Sequence, residues 1–193
     1  MDFDLDHLRS WIGAGETMSE VLSPQLVMRF NVTVGCETAI EPGSAAPLMI
    51  HFCLAQPSAG LEKLGPDGHP ARGGFLPPVP LPRRMWAGGE IEFRAPLIIG
   101  SEVTRQSTIT DVELKQGRSG ALCFVTVNHD YSCGGQISVR ERQDIVYREP
   151  PEAGGAGPRK QEDAAPAGAH HLTVTPTPTM LFRYSAITFN GHR

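Results

Sequence analysis

Ser23-Pro24-Gln25-Leu26-Val27-Met28-Arg29-Phe30-Asn31-Val32-Thr33-Val34-Gly35 reads as one complete helix with both ends marked. The Ser23 hydroxyl is an N-cap acceptor, and Pro24 stands at the first helical position, where its missing N–H costs nothing. Leu26, Val27, Phe30 and Val34 fall on one face at helical spacing. Gly35 can end the helix in the left-handed conformation. Most of the chain around this stretch carries strand signals, which makes it the principal helix available to cover a sheet.

Upstream, residues 6–12 read as a short helix that Asp6 can cap, with Leu8, Trp11 and Ile12 as its apolar side and Gly13 as its stop. Glu16 to Leu22 is a candidate strand. Downstream, Pro47 to Leu54 reads as a buried apolar strand. Gln56 to Pro82 is long and rich in Gly and Pro, the composition of a functional loop. Its tail, Phe75-Leu76-Pro77-Pro78-Val79-Pro80-Leu81-Pro82, is expected to be extended, because proline fixes φ and restricts its predecessor.

Four strands follow: Glu90 to Ala95, strictly alternating; Ser101 to Val112; Leu122 to Tyr131, the most apolar; and Gln136 to Tyr147. Lys115 to Gly120 is a hairpin connection. Consecutive strands joined by short turns predict an antiparallel sheet. Its apolar face must be covered, and the helix after Ser23 is the internal candidate. The expected class is α+β, with an antiparallel sheet curled around one principal helix, the hotdog arrangement.

Composition bounds the rest. The chain has 193 residues, 40% hydrophobic and 20% charged, with a formal net charge of −4. That charge argues against nucleic acid or an anionic membrane as partner. No apolar run is long enough to span a bilayer. The acidic start Met1-Asp2-Phe3-Asp4-Leu5-Asp6 is unlike a signal peptide. Cys36, Cys53, Cys123 and Cys133 lack CxxC spacing and read as reduced thiols of a cytoplasmic protein. No cofactor or metal is expected.

The opening helix is written twice. Ser23-Pro24-Gln25-Leu26-Val27-Met28-Arg29-Phe30 matches Thr177-Pro178-Thr179-Met180-Leu181-Phe182-Arg183-Tyr184 position by position. A repeat at this distance duplicates a whole domain. Residues 149–171, dominated by Pro, Gly, Ala and charge, read as a flexible linker. The expected organisation is a first hotdog over residues 1–148, the linker over 149–171, and the incomplete beginning of a second hotdog over 172–193.

Three further stretches carry a resemblance: Gly65-Pro66-Asp67-Gly68-His69-Pro70, then Gly73 to Gly89 with its Pro-rich run, then Gly117-Arg118-Ser119-Gly120. Together with Ser185-Ala186-Ile187-Thr188-Phe189-Asn190-Gly191-His192-Arg193, they resemble two-hotdog acyl-CoA hydratases. These are MaoC-like proteins of the hydroxyacyl-thioester dehydratase type 2 family, with mesaconyl-CoA and itaconyl-CoA hydratases as the nearest group. The resemblance implies reversible addition of water to a short enoyl-CoA such as mesaconyl-CoA. An acid/base side chain would move the proton while backbone N–H groups polarise the thioester carbonyl. It also implies an acyl thioester partner, and pairing either as a homodimer or with another hotdog domain.

The same resemblance places Asn190 at the family's carboxylate position and His192 within the catalytic motif. In related hydratases a His follows the carboxylate by five positions, which here falls beyond Arg193, so the motif reads as incomplete. The second hypothesis is therefore a non-catalytic acyl-binding or dimerisation half that needs a separate catalytic partner. An acyl-CoA thioesterase is the third. Arg83, Arg84, Trp86 and Arg118 are candidate substrate contacts, since arginine suits phosphate or carboxylate and tryptophan stacks on a base; the plain alternative is a solvated Arg pair beside a core Trp, and a turn residue at Arg118. His51 and His129 sit in apolar patterns and read as structural. His170 and His171 have no partner at metal-ligand spacing, and Gly88-Gly89 is not a phosphate loop, because no Lys and no helix follow.

Overall fold

The computed structural model describes residues 4–65, 67–117, 120–150, 168–170 and 172–190. Helix α1 (Leu5–Arg9) leads into strand β1 (Gly15–Val21) and then helix α2 (Pro24–Val34). Strands β2 (Arg83–Phe93), β3 (Glu102–Gly117), β4 (Gly120–Cys133) and β5 (Gln136–Arg148) follow, and helix α3 (Pro178–Ile187) comes last. The five strands form one fully antiparallel sheet in the order β1-β3-β4-β5-β2. This is the α+β hotdog arrangement.

Helix α2 forms as its sequence predicts. Leu26 N–H donates to Ser23 Oγ at 3.2 Å, and Gly35 takes a φ of 74°. Val27 and Phe30 are buried, with Leu26 and Val34 packed beside them. Four readings differ from expectation. Strand β3 runs past Val112 to Gly117 and β4 begins at Gly120, so Lys115, Gln116, Gly117 and Gly120 of the expected hairpin connection are paired strand. The cap of α1 is Asp4, whose carboxylate accepts from His7 N–H, while Asp6 lies in the first turn. Strand β2 starts at Arg83 rather than Glu90, because pairing with β5 overrides the weak strand character of its glycines. Residues 47–54 are not a strand. They form a turn and a 3₁₀ helix, Ile50–Cys53, entered through Met49 at a φ of 70°. Packing against α2 and the sheet buries Ile50, His51, Cys53 and Leu54 without a strand ladder.

Two apolar clusters cover the inner face of the sheet. The first joins α2 and the 3₁₀ turn to Leu97, Ile99, Val103, Tyr131 and Val139. The second joins Leu8 of α1 with Val79 and Leu81 of the proline segment to Ile109, Val112, Cys123, Val125 and Tyr147. Helix α2 thus covers half of the sheet, and α1 with the proline segment covers the other half. Arg72 pins that segment: its guanidinium donates to the carbonyls of Val79 (2.7 Å), Leu81 and Pro82 (2.7 Å) and lies over the Tyr147 ring. Trp11 Nε1 donates to Gly74 O at 3.0 Å, tying α1 to the same loop.

Residues 149–150 are described within the expected linker, and nearly all of the remainder, 151–167 and His171, lies outside the described residues. Helix α3 is capped like α2, with Met180 N–H donating to Thr177 Oγ1 at 3.1 Å. It lies beside α2 and presses Tyr184 and Ile187 onto the first cluster. Among the described residues no helix is long and apolar enough to cross a membrane, and no group of three or more His, Cys, Asp or Glu is placed to hold a metal ion. The four cysteines are free.

Candidate functional site

The end of α3 positions Asn190. Phe189 N–H reaches Ala186 O (3.3 Å) and Asn190 N–H reaches Ser185 O (3.0 Å). This pair of bonds closes the helix as a Schellman motif, which needs a left-handed residue at its corner. That residue is Phe189, at a φ of 50°. The corresponding position of the first copy is Gly35, where the same conformation carries no Cβ penalty. The Asn190 amide donates to Thr188 Oγ1 (2.8 Å), and Thr188 is itself buried and bonded to Tyr184 O (2.8 Å). Asn190 is therefore oriented by both backbone and side chain. His192, the other catalytic candidate, lies outside the described residues.

The arginine candidates separate. Arg83 and Arg84 are consecutive residues on β2 and so point to opposite faces of the sheet. Arg84 is drawn inward beside Tyr147, with its Nη2 3.1 Å from the Asp67 carboxylate. Arg83 is exposed. Trp86 sits at the β2 bulge, largely exposed, and its indole N–H donates to Gly88 O. Arg118 lies outside the described residues. The plain alternative of a solvated Arg pair beside a core Trp does not describe this geometry, because Arg84 is drawn inward and Trp86 is exposed.

The structure also assembles a site that the sequence reading dispersed. Along one row of the sheet the register brings together Glu16, Ser107, His129, Glu141 and Ile91, one from each strand. The row runs between the two apolar clusters. Arg105, two pairs along and on the same face, donates to Glu16 Oε1 at 3.0 Å. Ser107 Oγ and His129 Nδ1 are 2.8 Å apart, and Gln143 Nε2 donates to Glu141 Oε1 at 2.7 Å. His51 of the 3₁₀ turn approaches from above, its Nε2 3.8 Å from Glu141 Oε2. Rings of Phe52, Phe93 and Tyr131 surround it.

Burial sets the protonation of this group. It lowers the pKa of His51 to about 4. Burial, reinforced by Arg105, also lowers His129 to about 4. It raises the Glu141 carboxyl above the ordinary value, against the downward pull of Gln143 and Arg105. Both imidazoles are thus neutral at pH 7. Among the described residues, both ring nitrogens of His51, Glu141 Oε2 and Arg105 Nε find no hydrogen-bond partner, and an unpaired buried polar atom is unusual enough to mark a functional candidate. Tyr184 of α3 reaches the same neighbourhood: burial raises its pKa, and Cys53 and Glu141 add to the rise. Sequence signals for this assembly were weak. The polar residues at 105, 107 and 129 alternate with apolar ones on long strands, and only the register shows that Ser107 and His129 share a row with Glu141 and that Arg105 lies beside it.

The family model for hydroxyacyl-thioester dehydratase type 2 matches residues 49–193. The chain belongs to this family. It is 39% identical over 191 residues to mesaconyl-C(4)-CoA hydratase of Chloroflexus aurantiacus, covering 95% of this chain and 66% of the relative. It is 28% identical over 185 residues to the mitochondrial hydroxyacyl-thioester dehydratase type 2 of Schizosaccharomyces pombe, covering 80% of this chain and 56% of that protein. The chain thus spans somewhat more than half of the length of these relatives. Among solved structures, it resembles a MaoC-like dehydratase from Phytophthora capsici (TM-score 0.53, 13% identity), covering 96% of this chain and 64% of the other. HtdX of Mycobacterium tuberculosis is similar at a TM-score of 0.52 and 17% identity, with 90% and 61% covered. These two likenesses bear on the fold alone.

Proposed function

We propose that the protein is an acyl-CoA hydro-lyase that adds water reversibly to a short enoyl-CoA such as mesaconyl-CoA. In this reading residues 1–148 form the first hotdog, residues 149–171 link it onward, and residues 172–193 open the second. The observation that carries the proposal is the docking of α3. A helix with the cap, proline and apolar pattern of α2 lies directly beside α2 and ends on a fixed polar residue, in a chain 39% identical to a named hydratase.

Hydration of an enoyl thioester needs a water held against the double bond, a proton carried to the α-carbon, and charge stabilised on the thioester oxygen. Asn190 is assigned the first task. Its carboxamide both donates and accepts hydrogen bonds, but it takes up no proton at neutral pH. His192, two residues on, is assigned proton transfer. Arg84, which faces the inner side of the sheet, is assigned to an anionic group of the substrate. Arg83, Trp86 and Arg118 are assigned to the coenzyme moiety.

The test is to incubate the purified chain with mesaconyl-CoA and crotonyl-CoA and follow loss of the enoyl-thioester absorbance. The expected result is hydration, reduced at least tenfold by Asn190→Ala. Activity that appears only after adding a separately made catalytic half would assign this chain the acyl-binding role instead. Release of free CoA thiol would indicate a thioesterase. No turnover with either addition, from a folded preparation, would overturn the hydro-lyase reading.

A further inference from the structure

A groove of about 370 Å³ opens between residues 45–51 and residues 93–97, at the side of the sheet away from the proline segment. Its floor is the buried set Ile50, His51, Leu97 and Val139, and its rim includes exposed Leu48 and Phe93. A volume of this order lies at the small end of ligand pockets, which join apolar walls to a few placed polar groups. The polar group at this floor is His51. Its side chain is 1% exposed, and neither ring nitrogen has a hydrogen-bond partner among the described residues. A buried, unpaired donor and acceptor represent a standing desolvation cost that a bound group can remove.

We propose that this groove binds a small neutral molecule with an apolar body and one hydroxyl or carbonyl group, which hydrogen-bonds His51. Charge disfavours the other ligand classes. The imidazole is uncharged, so it offers no cation to a carboxylate. Glu141 stands 3.8 Å behind it and would repel an anion if ionised. The cation in the groove lining, Arg94, is paired with Glu92 at 2.9 Å. An ammonium group would meet mostly apolar walls. The site lies in the first hotdog and does not include Asn190, so it stands or falls separately from the hydro-lyase reading.

The test uses 1-hexanol, 2-hexanone and hexanoate as probes, with binding to the whole chain read by ligand-observed NMR at neutral pH. Hexanol and hexanone are expected to bind, and hexanoate at least about tenfold more weakly, the scale of a hydrogen bond made against a charge left unpaired. His51→Phe should remove the preference for hexanol. Should that variant fail to fold, Leu48→Trp, a substitution at the exposed rim, should block all three probes by filling the groove. Equal binding of hexanoate and hexanol, no binding of any probe, or unchanged binding in Leu48→Trp would each overturn the proposal.

Discussion

At the scale of single residues, three side chains matter for different reasons. Phe189 holds a left-handed conformation that costs a non-glycine residue roughly 1 kcal/mol. Such strain persists where the surroundings over-determine it, often at functional sites. Phe189→Gly should therefore stabilise α3 by about 1 kcal/mol, measured by hydrogen exchange of its amides, while loosening the backbone that aims Asn190. Arg72 is the second. It ties three carbonyls and covers Tyr147, so Arg72→Met is expected to lower unfolding stability by about 2–4 kcal/mol in urea titration.

His129 and Glu141 respond to pH in opposite directions. The folded-state pKa of His129 is lowered from 6.5 to about 4, so the unfolded chain takes up that proton first as pH falls. Its contribution to stability is complete above pH 6.5 and is lost as pH drops toward 4. Glu141 has a raised folded-state pKa, so its contribution is present below the ordinary carboxylate value and is lost as pH rises through the shifted one. Glu141→Gln should flatten the loss of stability on the alkaline side, and His129→Gln the loss between pH 6.5 and 4. Urea unfolding across pH 4 to 8 would show both; a Glu141→Gln curve parallel to wild type would contradict the first.

At the scale of elements, the two capped helices were readable because their signals are local. A hydroxyl cap, a proline at the first position and an apolar stripe act within a few residues. The failures are equally physical. Residues 47–54 have the apolar density of a strand, but hydrophobicity alone does not separate a buried strand from a buried turn. The first half of strand β2 is hidden in the sequence because Gly88 and Gly89 carry no strand preference. Their value is positional: a Cβ at Gly89 would meet Arg142 O at 2.4 Å, so glycine allows the edge strand to approach β5 closely. Gly89→Ala should push β2 from β5 and cost about 1–3 kcal/mol, with the loss of protection confined to the β2 and β5 amides.

At the scale of the whole molecule, the sheet has two covers. The sequence points to α2 as the one internal cover, yet Val79 and Leu81 of the proline segment are buried as fully as Val27 of α2. Leu81→Ala is expected to cost about 2–5 kcal/mol, the range for a buried leucine in a core. A cost below 1 kcal/mol would show that the segment lies on the sheet without being part of its core. Between the two covers runs the polar row, and over its neighbourhood lies Tyr184 of α3.

The amino-acid sequence determined the antiparallel sheet, the capped helices, the internal repeat and the family, because each rests on local periodicity or on motifs contiguous in the chain. Tertiary structure alone decided that Arg83 and Arg84 part to opposite faces and that the proline segment is core. It also decided that His51, His129, Glu141 and Arg105 meet. Strand register and burial act between residues far apart in the chain, and a one-residue slip would have sent every one of those strand side chains to the other face.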